Sequence, residues 1–316
     1  MVLIKNIIKK CMANKILVTG VNGQLGHDVC NRLYKKGFIV YASDISEKYN
    51  GLDNNIDYDF YCSLDITNKE AVNKTINDIK PDGVIHCAAW TAVDLAEEEA
   101  NKPKVYNINV NGTKNIALAC KEIDAKMLYL STDYVFNGEG AIPWKADDKN
   151  YSPLNYYGET KLEGEKAVSS ILDKYFIVRI AWVFGINGNN FIKTMLKVGK
   201  SHNEVRVVND QIGTPTYTYD LARLLVDMIE SDKYGYYHAT NEGPYISWYD
   251  FTKEIYRQCD INTKVTPVST LEYGLSKAKR PFNSRLDKSK LKENGFMPLP
   301  DYKDAISRYL KEIKVL

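Results

Sequence analysis

Tyr157 and Lys161 stand four residues apart, a spacing that on a helix puts a phenol and an ammonium one turn apart on one face. A phenol so placed can pass a proton to the oxygen of a reacting carbon, and the ammonium draws its pKa down. The spacing alone decides nothing, because the chain holds 23 tyrosines and repeats the pattern at Tyr249 with Lys253 and at Tyr273 with Lys277. Position has to choose among the three. Ser131 and Thr132 end an apolar run shortly before Tyr157, which brings two hydroxyls near the same phenol. Trp248, Phe251, Thr252 and Ile255 make the Tyr249 segment read as an ordinary packed face. On periodicity alone a second reading of Tyr157 stays open, that of one more surface tyrosine.

A second group suited to chemistry is Gly20, Gly23 and Gly26, set after the run KILVT and opening a helical period. Glycines at this spacing allow a tight strand-to-helix turn, backbone approach to a pyrophosphate and close helix packing, with helix N–H groups facing the anion. Asn22, Gln24 and Leu25 of the same loop join them as candidate ligands of a dinucleotide. Asp44 follows 24 residues after Gly20, near the distance expected of a carboxylate that takes ribose hydroxyls. Its charge would repel a 2′-phosphate and so favours NADH, while Ser46 and Lys48 leave NADPH open. The plain alternative is a glycine-rich turn without a ligand.

These residues need a frame. Apolar β-rich runs at 15–19, 38–43, 59–63, 83–87, 126–131, 176–181 and 235–239 alternate with helical periods at 24–36, 69–79, 105–123, 152–170 and 219–231. That alternation predicts an α/β fold, a doubly wound (Rossmann) parallel sheet of seven strands. Residues 14–184 and 214–240 would form the dinucleotide-binding domain, and 185–213 with 241–316, richer in Gly and Pro, a smaller α/β substrate domain. Residues 1–13 read as an extension, with Met12 as an alternative start. In such a fold ligands lie beyond the carboxyl ends of the strands. Asp65, Ile66, Ala88 and Ala89 should therefore join Gly20, Asp44 and Thr132 along one edge, Asp65 accepting from an adenine amino group and the alanines admitting a flat ring. Each is equally compatible with plain packing.

Composition narrows the classes. With 316 residues, 44% of them hydrophobic, 42 basic against 40 acidic side chains and a net charge of +2, the chain has the profile of a globular protein without the clustered basic face that nucleic acid requires. No apolar stretch reaches the ~20 residues of a bilayer span, so no membrane partner is expected. Six scattered cysteines without CxxC suggest a reducing, cytoplasmic setting and no bound zinc. The acidic run Glu97, Glu98, Glu99 reads as a solvated face.

The runs VTGVNGQLG, CAAWTAVDLAEEE, INVNGTKNIA, STDYVFNG, YGETKLEGE, RIAWVFG, DQIGTPT and KRPFNSRLD, in this order from about Asn14 onward, together resemble the dTDP-4-dehydrorhamnose reductase family of extended short-chain dehydrogenases/reductases. The resemblance implies reduction of the 4-keto group of a nucleotide-linked 6-deoxyhexose by a nicotinamide cofactor, giving dTDP-L-rhamnose for cell-surface polysaccharide. It implies Thr132, Tyr157 and Lys161 as the catalytic set, with Tyr157 the acid, Thr132 a second donor to the keto oxygen and Lys161 also holding the nicotinamide ribose. Thr91 and Asn109 match cofactor-side positions, although Asn109 is equally readable as a core amide. Trp182, Asn190, Gln211, Thr216 and Arg280 match candidates for the sugar and its nucleotide; Trp182 reads as well as a core residue, and Arg280 as part of a solvated basic loop. Certain members carry a glutamate beside a magnesium-bridged dimer interface where this chain has the shorter Asp28, so Mg²⁺ and a homodimer stay open. Two other functions stay open as well: another nucleotide-sugar reductase or epimerase, and a non-catalytic NAD(P)-binding regulatory subunit.

Overall fold

In the computed structural model, which describes residues 14–52 and 60–315, β1 (Lys15–Thr19) takes its shape from a plain alternation: Ile16 and Val18 face one side of a sheet and Leu17 the other. A turn through Gly20, whose φ is 72°, leads into the helix Gln24–Lys36. That helix ends at Gly37 in the left-handed region, and β2 (Ile39–Asp44) returns parallel to β1 with Lys15 opposite Ile39. There follow β3 (Tyr61–Ser63), β4 (Gly83–His86), β5 (Lys126–Thr132) and β6 (Tyr175–Ile180). The short strands β7 (Val183–Phe184), β8 (Glu204–Val208), β9 (Ile212–Gly213) and β10 (Thr216–Tyr217) come next, then β11 (Gly235–His238), β12 (Ile246–Ser247) and β13 (Lys264–Val268).

The main sheet has seven parallel strands in the order β11-β6-β5-β4-β1-β2-β3. The chain reverses its direction of winding between β1 and β4, which opens a crevice at their carboxyl ends. One face is covered by the helices Gln24–Lys36 and Thr218–Ile229, the other by Lys69–Ile79, Thr113–Glu122 and Tyr156–Ile171. A separate apolar cluster, with Phe184, Ile192, Leu196, Tyr217, Phe251, Ile255 and Tyr309 at its centre, joins the helices Phe191–Ser201, Trp248–Gln258 and Tyr302–Glu312. The segment around Leu291, Phe296 and Leu299, assigned by sequence to the substrate domain, packs instead with Tyr237 in the core of the main sheet.

Two helical expectations change. The period at 105–123 divides into Lys102–Tyr106, a π-helical stretch Asn107–Gly112 and Thr113–Glu122. The helix expected from 152 starts at Tyr156, because the Asn155 side chain accepts a hydrogen bond from the Gly158 N–H at 2.8 Å and caps the first turn. The extension at 1–13 and Asp59 of the expected third strand lie outside the described residues. Among the described residues no helix is long and apolar enough to cross a membrane.

Candidate active site

A cavity of about 740 Å³ opens along the carboxyl edge of the sheet at this crevice. Gly20, Gly23, Gln24, Leu25 and Gly26 form one end; Asp44, Asp65, Ile66, Ala88, Ala89 and Thr91 continue the wall. Thr132, Tyr157, Lys161 and Trp182 line the same cavity, so the phenol, the hydroxyl and the ammonium face a common space.

The glycine loop is tightly fitted. A Cβ on Gly20 would lie 2.6 Å from the Ala88 backbone nitrogen, and one on Gly26 would overlap the Gly20 carbonyl. Gly23 stands at the N-cap of the helix Gln24–Lys36 and supplies no side-chain cap. First-turn N–H groups are therefore left for a ligand, the arrangement in which a helix terminus holds a phosphate. Asp44 is fixed toward this loop by the Asn22 N–H, which donates to its carboxylate at 3.0 Å. An uncapped helix start, a cavity reaching both carboxylates and a buried cation at the far end fit a nicotinamide dinucleotide.

The catalytic end has its own electrostatics. Burial, reinforced by the charge of Asp133, holds the Tyr157 phenol above the ordinary tyrosine range, while the adjacent Thr132 hydroxyl acts the other way. The expected lowering of this phenol by Lys161 does not occur: burial dominates, and the lysine is itself pushed down to about 7. Thr132 donates to the Asp133 carboxylate at 3.0 Å, and burial raises that acid to about 6. The same carboxylate also interacts with the Ser284 hydroxyl, and the Ser131 hydroxyl is buried without a hydrogen-bond partner among the described residues. Tyr134 meets Tyr157 edge-on at 5.8 Å between centroids.

Several candidates lie off the cavity. Asn22 shapes the loop, its side chain accepting from the Asn50 N–H at 2.8 Å. Asn109 accepts from the Trp90 N–H at 2.8 Å and donates to Thr160 at 3.0 Å, bracing the end of β4 against the Tyr157 helix. Asn190 caps the helix Phe191–Ser201 and donates to Gln24, to the Gly185 carbonyl and to Tyr309. Gln211 donates to Thr270, and Thr216 to the Ala181 carbonyl. Arg280 grips Asp94 with two hydrogen bonds, of 3.1 and 2.6 Å, so it is neither a solvated loop residue nor free for phosphate in this state. The acidic run is engaged too: Glu97 accepts from the Tyr156 N–H and Glu98 pairs with Lys277.

The tryptophans need the opposite correction. Trp182, for which sequence favours the core over a wall beside the sugar, and Trp248, read as packed, both line the cavity and stack at 3.8 Å between centroids. Trp182 has φ 51°, a strained backbone for a bulky residue. No periodicity reveals this, because stacking across 66 positions of sequence is a tertiary fact.

Asp28 borders a second, polar cavity of about 720 Å³ with Arg32, Lys35, Asp220 and Glu312. Burial raises Asp28 to about 7, and both Asp220 oxygens are bound by Arg308 at 2.7 Å. Among the described residues no three acidic, histidine or cysteine groups could hold a metal ion.

The parallel sheet, the uncapped glycine helix and the Tyr–Lys cavity together define a dinucleotide-binding α/β protein of the Rossmann type. Within that class the chain belongs to the family described as RmlD substrate binding domain, whose model matches residues 14–315. It is 37% identical over 298 residues to the spore coat polysaccharide biosynthesis protein SpsK of Bacillus subtilis, covering 94% of this chain and 97% of that protein. It is 37% identical over 313 residues to the dTDP-4-dehydrorhamnose reductase of Escherichia coli K12, again 94% of this chain and 97% of that protein. The crystal structure of the dTDP-4-dehydrorhamnose reductase of Clostridium acetobutylicum matches with TM-score 0.86 and 42% identity over 95% of this chain and 99% of that one. That of the Bacillus anthracis enzyme in complex with NADP matches with TM-score 0.86 and 38% identity over 95% of this chain and 100% of that one.

Proposed function

We infer that this chain is a nicotinamide-dependent oxidoreductase that reduces the 4-keto group of dTDP-4-dehydro-L-rhamnose to dTDP-L-rhamnose. The observation that carries this is the meeting of Tyr157, Thr132 and Lys161 in the cavity that begins at the uncapped glycine helix. A bound dihydronicotinamide would supply hydride to the keto carbon. The protein's own task is the oxygen, which gains negative charge and needs a proton. Tyr157 is protonated at neutral pH, as a general acid must be, although its burial makes it a weaker proton donor than a free phenol. Thr132 would be the second donor, turning to the keto oxygen the hydroxyl that it also directs at Asp133. Lys161, one turn beyond Tyr157, would hold the nicotinamide ribose. Trp182 and Trp248 offer flat apolar surface to the sugar.

Asp44 would favour NADH over NADPH by charge, while the B. anthracis relative is in complex with NADP, which keeps the phosphorylated coenzyme in the proposal. The test is turnover of dTDP-4-dehydro-L-rhamnose against UDP-linked 4-ketohexoses, with the Tyr157→Phe variant beside the wild type. The expected result is activity on the dTDP sugar and a loss of at least about 100-fold in the variant at unchanged NADH affinity. Undiminished turnover by the variant would remove Tyr157 as the acid.

A further inference from the structure

Lys161 is 3% exposed and carries its charge into an apolar setting, at the boundary between the Tyr156–Ile171 helix and the sheet. A buried ammonium normally needs a carboxylate close by. The obvious one is Glu165, one turn further along the same helix. Its two oxygens are both taken by Arg179, at 2.8 Å each, and that pair is itself closed off from solvent. Glu165 still favours the charged lysine from a distance, yet its hydrogen-bonding capacity is directed away.

Among the described residues, the other groups around the ammonium bring no negative charge. His86, on β4, is held between the hydroxyls of Thr19 and Thr113, and burial drops it to about 3, so it is neutral. Cys87, after β4, is raised to about 12 and stays a thiol, and Tyr157 stays a phenol. What remains is Tyr129 on β5, whose ring centroid lies 4.1 Å from Lys161 Nζ. The ring is seated by design of the backbone: its hydroxyl donates to the Lys161 carbonyl at 3.3 Å, and a Cβ on Gly164 would overlap that hydroxyl. Gly164 thus costs the helix some stability and gains the close approach of an aromatic face.

We propose that Tyr129 is a positioning residue for the reaction, its aromatic face standing in for a counter-ion that favours the charged form of Lys161 and aims it into the cavity. A cation within about 6 Å of a ring centroid gains attraction from the ring quadrupole, most strongly where water is excluded. The hydroxyl of Tyr129 seats the ring, and the face does the electrostatic task. The inference rests on the reading of Lys161 as the cation beside the coenzyme, and its test is built so that the two fail separately.

The test is a ¹³Cε-lysine NMR titration of the ligand-free protein, with the Lys161 signal assigned by its loss in Lys161→Met. Tyr129→Phe keeps the face and should titrate within a few tenths of a unit of the wild type. Replacement of residue 129 by 3,5-difluoro- and then pentafluorophenylalanine keeps the shape and withdraws the quadrupole. It should lower the midpoint stepwise, by about one pH unit in the last, with NADH affinity at pH 8 falling about three- to tenfold. A fluorinated series that titrates with the Tyr129→Phe value, or a Tyr129→Phe shift as large as that of the pentafluoro chain, overturns the proposal. Because the titration is read without coenzyme, a failure of the protein to bind NADH would count against the function and leave this result standing.

Discussion

Lys161 shows most clearly how a single buried charge costs stability. Its folded pKa of about 7 lies below the ordinary lysine value, so the unfolded chain binds more protons between pH 7 and 10.5 and stability rises with pH in that window. The cost of the buried charge is full below pH 7 and fades toward 10.5. Lys161→Met should therefore melt about 2–4 °C above the wild type near pH 6.5 while losing activity, and the gap should close by pH 10 in a melting series. A gap that stays constant with pH would mean that packing, and not charge, sets it. Asp44 is the second residue with a clear sign. Its carboxylate lines the cavity proposed to take the coenzyme, where it would oppose a 2′-phosphate, so Asp44→Asn should improve NADPH binding about tenfold relative to NADH, as read by fluorescence titration. An unchanged ratio would place the phosphate elsewhere.

At the scale of elements, the site depends on where helices start. The helix Gln24–Lys36 opens on glycines without a cap, and the Tyr156–Ile171 helix opens on Asn155, which also donates to the Lys279 carbonyl at 2.7 Å. Gly26→Ala would drive a methyl into the Gly20 carbonyl and move the loop. NADH affinity by calorimetry should fall at least about tenfold, with a smaller effect on the melting temperature. Affinity equal to the wild type would mean that the loop does not bind the pyrophosphate. These elements were legible in the sequence because their signals are local. The alternation in KILVT and the run Gln24–Lys36 appear in the structure with the expected bounds. The π-helical stretch Asn107–Gly112 was not, since it keeps the helical period of its neighbours while Asn109 turns to brace Trp90 and Thr160. Nor was the role of Arg280, because its partner Asp94 lies 186 positions away and no local pattern joins them.

The whole molecule places two unlike surfaces around one cavity: a glycine-rich edge of the sheet and, opposite, the stacked indoles Trp182 and Trp248 held by the smaller apolar cluster. The first could be read from spacing, and the second only from assembly. Between them the segment 277–280 is fastened to the sheet side by Arg280 on Asp94, Lys277 on Glu98 and the Ala278 N–H on Asp94. The central claim is that hydride and proton are delivered to one carbonyl in that cavity, with Tyr157 as the acid. It is tested most directly by incubating dTDP-4-dehydro-L-rhamnose with NADH deuterated at the transferred position and reading the sugar by NMR. Deuterium should appear at C4 of the product for the wild type and almost none for Tyr157→Phe over the same time; no deuterium at C4, or equal transfer by both, would rule out Tyr157 as the acid at that carbonyl.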